Sequence, residues 1–130
     1  MSLTLTTAMV MALLTTQDAP TEPRLMRFPS IKGDTVVFTY AGDLWVANIG
    51  GGLARRLTSS AGNEARAKIS PDGKWVAFTG QYEGNSDVYV VPIEGGEPKR
   101  LTFEAETDNV VNWTPDGKIA YVSSAGSFTN

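Results

Sequence analysis

The 130-residue chain contains neither cysteine nor histidine. Without thiols there is no disulfide framework and no thiolate nucleophile. Without imidazole the commonest general base and the commonest metal ligand are both missing. The carboxylates show no metal-ligand spacing either. Basic clusters are absent: 11 Lys and Arg stand against 14 Asp and Glu, for a net charge of −3. No stretch offers the positive face that nucleic acid requires. Long apolar runs are also lacking. Residues 3–14 come nearest, but the stretch is short and rich in Thr, which argues against stable membrane insertion. The Gly50-Gly51-Gly52 run lacks a following Lys-Ser/Thr pair and a helix, so it is no phosphate cradle.

What is present is repetition. Ser70-Pro71-Asp72-Gly73-Lys74 returns as Thr114-Pro115-Asp116-Gly117-Lys118, 44 residues later. At the same spacing Gly42-Asp43-Leu44-Trp45 matches Ser86-Asp87-Val88-Tyr89, and Arg56-Leu57-Thr58 matches Arg100-Leu101-Thr102. Gly51-Gly52 likewise matches Gly95-Gly96. A period of about 40–45 residues with strand-like content is that of one β-propeller blade. The expected fold is therefore all-β: an incomplete β-propeller of about two and a half four-stranded antiparallel blades. Blade one spans 24–63, blade two 64–107 and a partial blade three 108–130. Rings close with roughly 4–8 blades, so the chain reads as the N-terminal piece of a longer protein.

Strands are expected at Leu25–Pro29, Thr35–Tyr40, Asp43–Ile49 and Ala54–Thr58 in blade one. Blade two places them at Ala65–Ser70, Trp75–Thr79, Asp87–Ile93 and Pro98–Thr102. Blade three offers Asn109–Thr114 and Lys118–Ser123. Thr35–Thr39 and Trp75–Thr79 are rich in the β-branched and aromatic residues that strands favour. In Pro71-Asp72-Gly73 and Pro115-Asp116-Gly117, Pro fixes φ, Asp accepts a local hydrogen bond and Gly supplies the positive-φ residue. Lys32-Gly33-Asp34 is a degenerate copy.

The recurrent residues read first as architecture. Asp72 and Asp116 belong to equivalent turns of neighbouring blades, which predicts turn-stabilising carboxylates set apart from one another. Asp43 and Asp87 open the third strands and are expected to accept from loop amides. Trp45, Trp75, Trp113, Phe78 and Tyr89 recur at strand positions, as inter-blade core aromatics do. Lys118 with Ser123 or Ser124 is a weak dyad, because Lys118 belongs to the copied turn. No catalytic, cofactor-binding or metal-ligating residue is expected. One connection differs between blades. It is Ala41-Gly42 in blade one and the longer Gly80–Ser86 in blade two, and such elaborations are where repeat proteins carry specific contacts. Gln81, Tyr82, Glu83 and Asn85 are the candidate surface contacts, Tyr82 foremost.

Residues 1–23 read as a signal peptide and Pro-rich linker: an apolar stretch, then Gln17-Asp18-Ala19-Pro20-Thr21-Glu22-Pro23. Export to the periplasm is the expectation. A cytoplasmic location is the alternative, since no Lys or Arg precedes the apolar run and no clean small-x-small cleavage site follows it.

The unit Ile69-Ser70-Pro71-Asp72-Gly73-Lys74-Trp75-Val76-Ala77-Phe78, with Asp87–Pro92 and Gly95–Thr102, resembles the propeller repeat shared by TolB-like proteins and tricorn-type proteases. Leu25–Pro29, Ala41–Trp45 and Phe78–Tyr89 are similar to the first blades of bacterial tricorn-like peptidases. The resemblance covers Arg24 to about Ser124. It implies an exported multidomain serine peptidase, with N-terminal propellers that admit and route peptides to a C-terminal core of the tail-specific protease type. The partners implied are peptide or protein substrates, met through the rest of the parent. The nucleophilic Ser and its His belong to that core, and no position here matches their motifs. Two alternatives remain at this point: a TolB-like periplasmic interaction propeller without enzymatic activity, and a propeller fused to another hydrolase. Neither oligomeric state nor peptide preference follows from the sequence.

Overall fold

The computed structural model of the chain describes residues 26–124. The expected leader and linker, and Leu25 of the first strand, lie outside the described residues. Ten strands form in order: β1 Met26–Lys32, β2 Thr35–Tyr40, β3 Asp43–Asn48, β4 Arg55–Arg56, β5 Asn63–Ile69, β6 Trp75–Gln81, β7 Asp87–Pro92, β8 Lys99–Arg100, β9 Asp108–Trp113 and β10 Ile119–Ser123. They make two four-stranded sheets, β1-β2-β3-β4 and β5-β6-β7-β8, and a two-stranded β9-β10 hairpin. Every pairing is antiparallel. This is an unclosed run of propeller blades, each an up-and-down meander.

The turns behave as their residues dictate. Gly73 has φ +74° and its amide donates to the Ser70 carbonyl at 2.9 Å. Gly117 repeats this with φ +83° and a 3.0 Å bond to Thr114. Asp72 accepts from the Ser70 hydroxyl at 2.5 Å and from the Lys74 amide at 3.0 Å. Asp116 accepts from Thr114 Oγ1 at 2.5 Å. These bonds fix the local backbone that a non-Gly residue would strain.

The core forms between sheets. Val37, Leu44, Val46 and Leu57 of blade one pack on Ala67, Ile69, Val76, Phe78, Tyr89, Val91 and Ile93 of blade two. Ala77 and Val88 on the other face of blade two meet Val110, with Trp113 and Ile119 against them. Val76 to Gly80 of β6 are buried without interruption, because that strand is covered on both faces and loses the alternation of a half-exposed strand. Phe78 and Tyr89 are core aromatics as expected. The tryptophans divide: Trp113 is half-buried and packs on the second inter-blade cluster as expected, Trp45 is half-buried, and Trp75 is exposed. Trp75 opens β6 opposite Pro92 and borders an open groove shared with Trp113 and Ile119 of the β9-β10 hairpin.

The repeat provides an internal comparison. Leu57 is 6% exposed and its counterpart Leu101 is 39% exposed; Phe78 is 0% exposed and its counterpart Val122 is 60% exposed. Leu57 is core because a full sheet follows it, whereas only β9 and β10 follow Leu101; Phe78 packs back on blade one, and its counterpart Val122 lies on the two-stranded hairpin. Two smaller differences from expectation concern boundaries. Asn63 already pairs with Gln81, so β5 starts two residues before the expected Ala65. The fourth strands are two residues each, and the Leu57 and Leu101 amides add one further bond each in the same register, to the carbonyls of Leu44 and Val88.

Candidate functional site

Two rims border the sheets. One carries the Ala41-Gly42 turn, the connections 57–62 and 101–107, and the 82–86 loop. The other carries the Pro-Asp-Gly turns and the Gly-Gly turns. On the first rim the main feature is a buried acid. Glu64 opens β5 and reaches across the blade boundary, where its Oε2 accepts from the Leu44 amide at 3.1 Å and from the Thr58 hydroxyl. Its Oε1 accepts from the Tyr82 hydroxyl. Burial pushes the Glu64 carboxyl up, while those three donors pull it down. Burial, and then the Glu64 bond, push the Tyr82 phenol up. A carboxylate already holding three donors is a tie between blades, not a free base.

Asp108 takes the place of Glu64 one period later, and its amide bonds the Ser86 carbonyl at 2.8 Å as that of Glu64 bonds Gly42 at 2.8 Å. Being one methylene shorter, its side chain does not repeat the tie. Asp108 Oδ1 is buried with no hydrogen-bond partner among the described residues, and Thr102 Oγ1 alone receives the Val88 amide, at 3.0 Å.

The structure gives the 81–86 loop two faces. Tyr82, the foremost sequence candidate, turns inward: its ring meets Tyr89 edge-on at 4.6 Å and its hydroxyl is committed to Glu64. Asn85 braces the following connection, its Nδ2 donating to the carbonyls of Glu104 at 2.9 Å and Glu106 at 3.1 Å. Gln81 and Glu83 face outward, with Glu83 3.2 Å from Arg100. Beside this loop, between blades one and two, lies a groove of about 440 Å³ bordered by Arg27, Phe28, Tyr40, Asn63 and Glu64.

The third-strand aspartates meet arginines where loop amides were expected. Asp43 Oδ2 is 2.5 Å from Arg56 and Asp87 Oδ2 is 2.8 Å from Arg100. The signal was available, since Asp and Arg recur together at one spacing. On the other rim Asp72 and Asp116 hold their turns as expected, yet both border one groove of about 630 Å³, with Trp75, Leu101 and Trp113. They border the two sides of one groove without any contact between them. Their hydrogen bonds, from Ser70 and Thr114 respectively first, keep both carboxyls below their ordinary range. Lys118 pairs with Asp116 at 3.2 Å and is accounted for by its turn.

Among the described residues there is no group of His, Cys, Asp and Glu arranged to hold a metal, and the hydroxyls of Ser70, Thr58 and Thr114 that donate to carboxylates serve the turns and the blade tie. The arrangement offers surfaces and grooves on a braced scaffold.

Residues 23–130 match the family model described as the tricorn protease N-terminal beta propeller domain. The chain is 39% identical over 65 residues to tricorn protease homolog 1 of Streptomyces coelicolor, which covers 50% of this chain and 6% of that protein. In structure it is similar to the tricorn protease, with TM-score 0.66 and 28% identity over 73% of this chain and 10% of the other. It is equally similar to TolB from Acinetobacter baumannii, with TM-score 0.67 and 28% identity over 80% of this chain and 28% of that one. The chain thus spans a small fraction of the tricorn proteins it matches, and by its match over nearly all of its length it belongs to the tricorn protease N-terminal β-propeller family.

Proposed function

We propose that this chain is the first propeller segment of an exported, tricorn-like serine peptidase and that it docks or gates peptides on their way to a catalytic core elsewhere in the polypeptide. The observation that carries the reading is the family match over 23–130, and the braced grooves along the blades support it. Docking falls to outward groups of the first rim, Gln81 and Glu83, and to the groove beside them. Tyr82 and Asn85 hold that loop in place rather than meeting the peptide.

The test compares the full-length protein with a variant lacking 26–124. Intact protein should hydrolyse both long unfolded peptides and short fluorogenic ones. The variant should keep the short substrate and lose its discrimination by length. Absence of peptide hydrolysis by the intact protein would refute the peptidase reading; unchanged length discrimination would refute the gating role. Export is checked by N-terminal sequencing of the mature protein, which should begin near residues 20–24.

A second reading, an interaction propeller without peptidase activity, draws on the TolB-like structural similarity. It predicts protein capture by the intact protein with no cleavage.

A further inference from the structure

Each first strand carries a β-bulge, and the residues at the first two bulges border one cavity. Register shifts between Arg27 and Ser30 in β1 and between Ala65 and Lys68 in β5. At these bulges Phe28 has φ +51° and Arg66 φ +56°. Left-handed backbone costs a non-Gly residue of order 1–3 kcal/mol and is kept where the surroundings enforce it, often at binding sites. The first strands of successive blades adjoin one another, β1 on β5 and β5 on β9, so they converge on the axis. Ser30 Oγ accepts the Ile69 amide at 3.1 Å, and Trp113 Nε1 donates to the Lys68 carbonyl at 2.8 Å. Three blades are thereby locked around one small cavity of about 200 Å³, bordered by Phe28, Arg66, Lys68, Val110 and Val111.

Its charge is one-sided. The Arg66 guanidinium lies 5.7 Å from the centre of the Phe28 ring, and Arg27 stands next in β1, on the adjoining groove that also touches Phe28. Among the described residues, carboxylates pair with Arg56, Arg100 and Lys118; none pairs with Arg27, Arg66 or Lys68. The acidic residues on these same strands are withdrawn from the cavity's charge: Glu64 is committed to Leu44, Thr58 and Tyr82, and Asp108 is buried. In a chain of net charge −3, Arg66 and Lys68 border one cavity with Phe28, and Arg27 borders the adjoining groove with the same ring.

We propose that Arg66, Lys68 and Arg27, set around Phe28, form a seat for the acidic side chains of peptides entering the propeller. The Asp or Glu carboxylates of the peptide pair with the three cations, and its apolar portions lie on Phe28, Val110 and Val111. This inference rests on the peptide-docking reading and gives that site its substrate class.

The test uses the full-length protein and rhodamine-labelled peptides, N-acetylated and C-amidated so that side-chain carboxylates are the sole anions. Three peptides share a Gly-Ser background and differ in carrying Glu, Gln or Lys at alternate positions. Fluorescence anisotropy at low salt should show the Glu peptide binding about tenfold tighter than the Gln peptide, as two or three exposed pairs of about 0.5 kcal/mol each would give. The preference should shrink at high salt. R66E/K68E should abolish it, and the milder R66Q/K68Q should do the same if charge reversal impairs folding. Equal binding of the Glu and Gln peptides, or an acid preference that survives both double variants, overturns the seat and leaves peptide docking standing. Failure of all three peptides to bind overturns the docking reading along with it.

Discussion

The Leu44 amide of blade one and the Glu64 carboxylate of blade two are joined at 3.1 Å across the blade boundary. The bond couples two sheets that also meet through apolar side chains and through the Glu64 amide on Gly42 and the Ile69 amide on Ser30. Glu64→Ala removes the acceptor shared by the Thr58 and Tyr82 hydroxyls and leaves a cavity beside them. Unsatisfied buried donors cost about 1–3 kcal/mol each, so the expected loss is about 3 kcal/mol. Glu64→Gln keeps an acceptor in place and should lose about 1 kcal/mol. The unfolding midpoint of the propeller in intact protein reads both; equal costs would mean that the charge itself, not the hydrogen bonds, holds the boundary.

Acid should act on this protein in two opposite ways. Burial raises the Glu64 carboxyl above its ordinary 4.5, so folded protein holds that proton more tightly than the unfolded chain. The stability linked to it is fully present below pH 4.5 and is lost as pH rises through the raised value. Asp72 and Asp116 sit below their ordinary 3.8. Their contribution is present above pH 3.8 and is lost as pH falls through the lowered values. The difference in stability between wild type and Glu64→Gln should therefore move in favour of wild type on acidification from neutral pH. Against D72N/D116N, wild type should lose its advantage only below pH 3.8. Parallel pH curves for wild type and Glu64→Gln would show that Glu64 does not titrate differently on folding.

Asp108 is one methylene short of the tie that Glu64 makes. Asp108→Glu should reach toward the Val88 amide and Thr102 and satisfy the buried oxygen, for a gain of about 1 kcal/mol. Glu64→Asp should lose a similar amount or more at the other boundary. Hydrogen exchange at the Val88 and Leu44 amides is the direct readout, with protection rising at the first and falling at the second. Slower exchange at neither amide in Asp108→Glu would show that the longer acid does not fit.

The blades were legible because their signals are local and repeat. The Pro-Asp-Gly turns, the Gly-Gly turns and the β-branched runs each declare a strand end or a strand within a few residues. The 44-residue spacing then assembles them. What was not legible depends on neighbours. Tyr82 reads as a loop aromatic, and only the approach of Glu64 from the first strand and Tyr89 from the third turns it inward. Trp75 repeats at a core-like position but borders an open groove. The bulges that place Phe28 and Arg66 beside one cavity have no turn residue to announce them, since neither residue favours positive φ. The Asp43–Arg56 and Asp87–Arg100 pairs left a trace in the shared period, visible only once both members are taken together.

Two glycines test backbone space against backbone angle. A Cβ at Gly62 would lie 2.1 Å from the Gln81 carbonyl oxygen and 2.8 Å from the Tyr82 ring. Gly62→Ala must displace main chain at the foot of the contact loop and should cost about 3 kcal/mol or more. At Gly73 a Cβ meets nothing within 4 Å, but φ is +74°, so Gly73→Ala should cost only the left-handed penalty of about 1 kcal/mol. The ratio of the two losses, measured by chemical denaturation of intact protein, distinguishes the causes; similar losses would show that the main chain around Gly62 relaxes around the added methyl.

Leu57 and Leu101 hold the same position one period apart and differ in burial. Truncating a covered leucine costs about 2–5 kcal/mol, whereas truncating an exposed one costs little. Leu57 packs under Val76, Phe78 and Val91 of the next sheet, and Leu101 borders the 630 Å³ groove beside Trp75 and Trp113. If further strands complete the third sheet in the full-length protein, as the small share of the tricorn relatives spanned here implies, that groove is the seat of inter-blade core. Leu101→Ala in full-length protein should then cost as much as Leu57→Ala. The counterpart Val122→Ala should likewise destabilise, although Val122 is exposed among the described strands. A Leu101→Ala loss below about 1 kcal/mol would instead mark the groove as open surface in the complete molecule, available to a ligand rather than to the next blade.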